Sequence, residues 1–482
     1  MAVADTPDGS IVIGIALATG TVRCVALDAW TGDVLASVST SLAEPARSPE
    51  GHSTQEPGYA ATALGLVARV VGSLGASANR IRAISATGTS GTVVPLDASG
   101  HPVGQALLAD DTSGRGLAAA HGLPDDSMLG RMASAMGSAC AGGASVARLA
   151  STADVVHAAL VGGLVAADTS HLLEAGIDPE ARTWPRATIT LGLEGLVPTL
   201  LAPGSVLGVV SADCSRRLGL RADVLVVAGM TIRCTAQIAT GATHLRDSVG
   251  VLDTTLSLMA VAGTEVTSPD GAVRSHRAPD GAWWAGATSN VGAGAFAAYR
   301  SGMTTRELAV LGMRAARRGP ATVVCYPLAR SGERFPVAEP SLQALWSGRP
   351  ADDVEAHRAI LEGVAFVERL GLETLGDLGA PSRRHVLAGD GSRSTVWAAI
   401  RATLLAGRDV SLAGRGDSAT GAAVLAAVGL GREPFGQVVH RLVDPPRPVE
   451  VTDTEIETLE ASYATFLRLV AMATGRDGGP PV

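Results

Sequence analysis

From residue 11 onward, apolar positions fall in short runs and alternations that turn residues interrupt. Residues 11–18 form a continuous apolar run suited to a strand buried on both faces. Ala18-Thr-Gly-Thr21 is a tight turn, and residues 22–28 alternate as a second strand should. Thr31-Gly-Asp33 turns the chain again into a third strand at 34–39. The period becomes helical over 60–74 and returns to a strand at 81–86, which leads through Gly88-Thr-Ser-Gly91 to residues 93–97. An antiparallel meander that feeds alternating helices and strands predicts a mixed α/β layer architecture. The theme repeats over 248–261, with a strand, a turn at Asp253-Thr-Thr255 and another strand. Helical periodicity follows at 355–375 and 394–405, and from about 453 to 472 with Ile456, Leu459, Tyr463, Phe466, Leu467 and Val470 on one face. The apolar run 158–167 reads as a buried helix, too short to span a bilayer. Two copies of one α/β unit with a cleft between them is the expected architecture, and ligands favour such clefts.

At 482 residues the chain exceeds a typical single core and suggests two domains, 1–244 and 245–482. Hydrophobic residues make up 46% and charged residues 17%, the balance of a globular chain. A net charge of −8 argues against nucleic acid or an anionic membrane as the main partner. No lysine occurs, so all 38 basic residues are arginine, and no lysine is present to clamp phosphate or form a Schiff base. The five cysteines are scattered, without CxxC or Cys–His metal spacing, which fits a reducing cytoplasm and no metal site. The first nine residues lack the pattern of a signal peptide, and residues 475–482 read as a frayed tail.

Several motifs then appear in order. They begin with Gly14-Ile-Ala-Leu-Ala-Thr-Gly-Thr-Val-Arg23, Ser90-Gly-Thr-Val-Val-Pro-Leu-Asp-Ala-Ser-Gly100 and Leu108-Ala-Asp-Asp-Thr112. Gly229-Met-Thr-Ile-Arg-Cys-Thr-Ala-Gln-Ile-Ala-Thr-Gly241 and Leu252-Asp-Thr-Thr255 follow. Later come Tyr326-Pro-Leu with Gly332-Glu-Arg-Phe-Pro336, Glu362-Gly-Val-Ala-Phe366, Ala388-Gly-Asp-Gly-Ser-Arg-Ser394 and Ser418-Ala-Thr-Gly-Ala-Ala-Val-Leu425. Together they resemble the FGGY carbohydrate kinases, particularly the pentulose kinases. The resemblance implies two ribonuclease H/actin-like domains of the sugar kinase/Hsp70 type, with an interdomain cleft. The sugar side falls in the first domain and the nucleotide side in the second.

The resemblance also marks what has changed. The aspartate that organises the metal–phosphate end in the family corresponds to Ala16, and a neighbouring loop glycine to Ala18. The catalytic aspartate corresponds to Ile232, which cannot accept a proton, and the next small residue to Arg233. Glycines of the second phosphate loop and the adenosine loop correspond to Asp253 and Asp390. Losing a general base costs about 10²–10⁴ in rate. A carboxylate about 4 Å from a phosphate oxygen repels it by about 4 kcal/mol at an effective dielectric near 20. ATP and magnesium are therefore expected to bind weakly or not at all.

The sugar side is less altered. Asp111 falls where the family grips a hydroxyl, preceded by Asp110, although the same residue type commonly caps a turn. The arginine usual two positions later is Ser113, with Arg115 nearby; Thr87 stands where pentulose kinases often have an aspartate. Thr89 and Gln55 complete the candidate binding set, while Asp111, Asp253 and Arg233 are the candidates for altered chemistry. Arg233 either pairs with Asp253 or grips a carboxylate or phosphate of a new substrate. His276 is expected to be a solvated turn histidine.

The leading expectation is a cytoplasmic, repurposed kinase-fold protein, compatible with a homodimer, that acts on a small polar metabolite. ATP-independent acid–base chemistry and a place in specialised biosynthesis both fit it. The alternatives are a working pentulose or polyol kinase with a relocated base, such as Asp253 or Asp110, and a non-catalytic partner or sensor.

Overall fold

The computed structural model describes residues 9–475, so the expectations for both extreme termini lie outside the described residues. The chain divides into two units. The first comprises residues up to 239 together with 276–281 and 417–443; the second comprises 240–275, 282–416 and 444 onward. The division falls at 239/240, against an expectation of 244/245, and segments 276–281 and 417–443 of the expected second domain group with the first unit.

The first unit is built on a six-stranded sheet. Its strands are β1 (Ile11–Leu17), β2 (Thr21–Asp28), β3 (Val34–Ser41), β4 (Ile81–Gly88), β5 (Val206–Val209) and β6 (Leu225–Val227), in the order β5-β6-β4-β1-β2-β3. β1 pairs antiparallel with β2 and parallel with β4, and β4 pairs parallel with β6. Every residue of β1 is buried, as its unbroken apolar run requires. Helix α1 (Tyr59–Leu74) lays Tyr59, Ala63, Leu66, Val67 and Val70 into this core. With the turn that follows, α1 is long and apolar enough to cross a membrane by length and composition alone.

The second unit repeats the plan. Its sheet has the strands β7 (Asp247–Leu252), β8 (Leu256–Ala262), β9 (Arg274–Arg277, whose last two residues group with the first unit), β10 (Trp283–Ser289), β11 (Arg384–Ala388), β12 (Asp409–Leu412) and β13 (Arg447–Pro448), in the order β9-β10-β8-β7-β11-β12-β13. As β1 does in the first unit, β7 pairs antiparallel with the strand after it and parallel with a strand that returns after a helix. The two sheets are two copies of one topology. The helical expectations hold at Asp353–Asp377, Thr395–Leu404 and Ile456–Thr474. The run 158–167 is corrected. Its helix α2 (Thr152–Val161) stops at Gly162, whose φ of 84° is left-handed, and the chain re-enters a short strand at Ala167–Asp168.

The helix of the last motif, α4 (Ser418–Gly429), explains why residues 417–443 return to the first unit. It follows α3 (Ile232–Thr240) in our numbering, and nine of its residues are buried. A helix apolar all round must be covered on every side, and α4 is covered by β1 and β4. The approach is so close that a Cβ on Gly14 would lie 1.9 Å from the Ala419 carbonyl oxygen, and one on Gly421 would lie 1.8 Å from that of Thr235. Gly14→Ala is therefore expected to destabilise the protein by about 1–3 kcal/mol or more, because backbone cannot yield as a side chain does. Gly65→Ala in α1, where a Cβ meets nothing within 4 Å, is the matched control. It should stabilise slightly, by about 0.5–1 kcal/mol. Urea denaturation of the two variants checks the contrast.

Candidate functional site

The first unit brings several of the marked positions together by strand pairing. Leu17 at the end of β1 pairs with Gly88 at the end of β4, and Gly88 bridges to Thr231, the residue before α3. Ala16, Ala18, Thr89, Ile232 and Arg233 are thereby neighbours along one rim of the sheet. Ala16 lies within β1, paired with Arg23 and Thr87, and only 9% exposed. Ala18 opens the turn, with its amide donating to the Thr21 carbonyl at 2.9 Å. Ile232 is the first residue of α3, and it and Arg233 are half-buried. The Ile232 carbonyl accepts from the Ser418 hydroxyl at 2.9 Å. Its side chain puts hydrocarbon where the resemblance places the family's proton acceptor.

Gln55 and Asp111 occupy this unit as loop staples. The Gln55 side-chain amide donates to the carbonyls of Thr19 at 2.7 Å and Ala43 at 2.6 Å, and its oxygen accepts from Tyr59 Oη at 2.7 Å. Gln55 therefore holds the turn after β1 in place. Asp111 is 5% exposed. One carboxylate oxygen accepts the Ser53 amide at 2.7 Å; the other accepts the Ser113 amide at 2.9 Å and the Ser113 hydroxyl. Ser113, standing where the family usually has an arginine, thus engages the carboxylate itself. Asp110 is exposed and pairs with Arg47 at 3.3 Å, while Arg115 is exposed at the start of a short helix. The Thr89 hydroxyl shares a hydrogen bond with that of Thr92 at 3.1 Å.

His276 is a correction. It is no solvated turn residue: it lies in β9, is 4% exposed, and its Nδ1 is 3.0 Å from the Ser170 hydroxyl. Ser170 in turn accepts the Thr231 amide at 3.1 Å and lies 3.7 Å from Cys234 Sγ. Burial pushes the Cys234 thiol up to about 11, so this sulfur is a packed thiol and no nucleophile. Thr87 donates its hydroxyl to the Met230 carbonyl, which ties β4 to the approach of α3.

Two further buried couples went unnoticed in the sequence, Asp154–His157 and Asp168–His171. Pairing of β4 with β6 ends at Ser85–Val227, and the next amides along that edge, Ala86 and Gly88, need acceptors. His157 Nε2 accepts from Ala86 at 3.1 Å, and His171 Nε2 accepts from Gly88 at 2.9 Å. Accepting an N–H requires a lone pair on Nε2, so each ring is neutral with its proton on Nδ1. The repeated Asp-x-x-His spacing was the available signal.

In the second unit, Asp253 and Asp390 meet. Asp253 is exposed, and its carboxylate accepts the Asp390 amide at 2.8 Å. A Cβ on Gly389 would lie 2.8 Å from the same carboxylate. Asp253 has no left-handed φ, so its own backbone does not demand the glycine usual in the family. Asp390 also pairs with exposed Arg393 at 3.4 Å.

The unaltered motifs of this unit are interior polar joints. Glu333 accepts from Ser289 Oγ at 2.7 Å, the Asn290 amide at 2.7 Å and Tyr326 Oη at 2.9 Å, so the Tyr-Pro and Gly-Glu-Arg motifs are one hydrogen-bonded device. Glu362 of Glu-Gly-Val-Ala-Phe accepts from Arg358 Nε at 2.5 Å and the Ala321 amide at 3.1 Å. Behind the loop at 388–394, Arg401 holds Glu368 through two contacts of 2.6 Å, and also reaches the Gly250 carbonyl and Ser392 Oγ, both at 3.1 Å. His385 joins Glu368 at 3.0 Å and Ser248 at 2.8 Å.

Comparison with known proteins agrees with this geometry. The profile described as the FGGY family of carbohydrate kinases, C-terminal domain, matches residues 249–430. The chain is similar to a xylulose kinase of Staphylococcus epidermidis, 23% identical over 440 residues that cover 87% of this chain and 88% of that one. Residues 249–430 carry the C-terminal domain of the FGGY family of carbohydrate kinases. The solved structure of a xylulose kinase from Brucella ovis shares the fold at a TM-score of 0.85 and 22% identity, over 97% of this chain and 100% of that one. A gluconate kinase from Lactobacillus acidophilus does so at 0.84 and 16%, over 96% and 98%. The fold is accordingly the two-domain ribonuclease H/actin-like fold of the FGGY sugar kinases, each unit carrying one copy of the topology.

Proposed function

We propose that this protein no longer transfers phosphate from ATP, and that its first unit binds a small polar, sugar-like metabolite and acts on it without ATP. The observation that carries the reading is Ile232 at the first position of α3. Phosphoryl transfer to a hydroxyl needs a group that accepts its proton, and a hydrocarbon has none. The remaining positions support the same direction. Ala16 offers no oxygen to a metal, and the Asp253 carboxylate takes the Asp390 amide for itself. These residues do not fit a magnesium–nucleotide group, so no step is routed through one.

The rim of the first unit's sheet keeps the polar side chains Thr89 and Arg233 beside Ile232. The cost of the replacements falls on the phosphate end, while the buried joints at Glu333, Glu362 and Glu368 are intact. A chain under selection only to fold would retain the second set without the first.

The test is direct. ATP with magnesium should cause no thermal shift, and no ADP should form above the buffer rate with a panel of pentuloses, polyols and sugar acids. Native mass spectrometry of the purified protein should show a small polar ligand retained. ADP formation dependent on one of the sugars would overturn the proposal.

A further inference from the structure

The couples Asp154–His157 and Asp168–His171 perform the same task two residues apart on β4, yet they are built differently. In the second, Asp168 Oδ2 meets His171 Nδ1 directly at 2.6 Å, and both residues are at most 1% exposed. In the first, Asp154 Oδ1 and His157 Nδ1 are 4.0 Å apart, too far for a hydrogen bond. Neither atom has a hydrogen-bond partner among the described residues, although Asp154 is 4% exposed and His157 is fully buried. Asp154 cannot swing toward His157 without loss. Its other oxygen closes the capping box of α2, accepting the Ser151 amide at 2.9 Å and the Ser151 hydroxyl at 2.8 Å.

The nearby environment is polar on one side only. A small cavity beside Asp154 has Arg148 and Asp154 in its walls, together with Leu96, Ala150 and Ala158, while His157 is not among its lining residues. Arg148 donates one guanidinium N–H to the Val197 carbonyl at 2.8 Å, while its buried Nε has no partner among the described residues. One buried N–H donor and one buried carboxylate oxygen thus face each other across 4.0 Å without a partner, a separation that one neutral molecule able to accept from the first and donate to the second spans.

We propose that a single structural water sits between Asp154 and His157, accepting from His157 Nδ1 and donating to Asp154 Oδ1. The water fixes the His157 tautomer, as Asp168 fixes that of His171, and leaves Nε2 to receive the Ala86 amide. His157 and His171 are thereby positioning residues for the end of β4, which carries Thr87 and leads into Thr89. The assignment does not depend on which metabolite the protein binds.

A crystal structure of the full chain at a resolution that shows ordered solvent should place a water within about 2.6–3.2 Å of Asp154 Oδ1 and His157 Nδ1. Direct closure of the two side chains, or a dry cavity, would refute the assignment. Long-range 1H–15N spectra should show the His157 proton on Nδ1; a proton on Nε2 would refute it equally. His157→Gln keeps an acceptor for Ala86 and should preserve hydrogen-exchange protection of that amide. His157→Leu should lower it by about tenfold or more, the size of one buried hydrogen bond, with Gly88 unaffected. Equal protection in both variants would show that the imidazole does not hold the strand.

Discussion

Replacing Arg401 with methionine is expected to destabilise the second unit by about 3–5 kcal/mol, because it strands the Glu368 carboxylate in a dry interior. Both side chains are fully buried, and Arg401 supplies both oxygens of Glu368 at 2.6 Å. The same guanidinium reaches Gly250 and Ser392, so its loss loosens the base of β7 and the turn at 390–393 together. The double variant Arg401→Met with Glu368→Leu should recover most of the loss, since a buried pair replaced by apolar groups of similar volume is often neutral. Denaturation followed in each unit separately checks this, because a two-unit chain need not unfold in one step. Equal losses in the single and double variants would mean that packing, and not the stranded charge, sets the cost.

The same pair sets an acid limit. Burial alone would raise the Glu368 pKa, but the charge and hydrogen bonds of Arg401, with His385 added, outweigh it and hold the carboxyl at about 2, against an ordinary 4.5. A depressed folded pKa means that the folded state releases the proton more readily than the unfolded chain. The stabilisation is therefore complete above about 4.5 and is lost as pH falls toward about 2. Arg401→Met should flatten the stability profile across that window.

Restoring carboxylates at two positions is the second large expected effect. Ile232→Asp combined with Ala16→Asp should raise ATP-dependent phosphorylation of a pentulose or polyol by about 10²–10⁴-fold over the unmodified protein, the range assigned to a positioned general base. The two sites differ in tolerance. Ile232 opens α3, where the helix dipole favours an anion, so the aspartate should cost little stability there. Ala16 is 9% exposed within β1, and a carboxylate at that point should lower the melting temperature. Adding Asp253→Gly frees the Asp390 amide and removes a negative charge from the second loop, so it should increase the gain further. A coupled assay of ADP formation against a sugar panel measures each step. Turnover by the unmodified chain, unchanged by these substitutions, would point to a relocated base and end the dead-site reading.

Periodicity and turn chemistry made the element order legible, since spacings of 2 and 3.6 residues and the glycine turns are local properties. The strands at 11–17, 21–28, 247–252 and 256–262 and the helices at 59–74 and 353–377 follow that pattern within a few residues. The motif order marked Ala16, Ile232, Asp253 and Asp390 as departures from the pattern that the chain resembles. What local pattern could not reveal is the partner of each polar side chain. Asp111 takes its amide from Ser53, 58 residues away, and His157 takes one from Ala86, 71 residues away. The burial of His276 and the return of α4 to β1 have the same origin, because strand pairing and close backbone approach join segments that no sequence window contains. A residue's type tells what bonds it can make, but only the tertiary structure decides whether those bonds face a ligand or are already spent inside the protein.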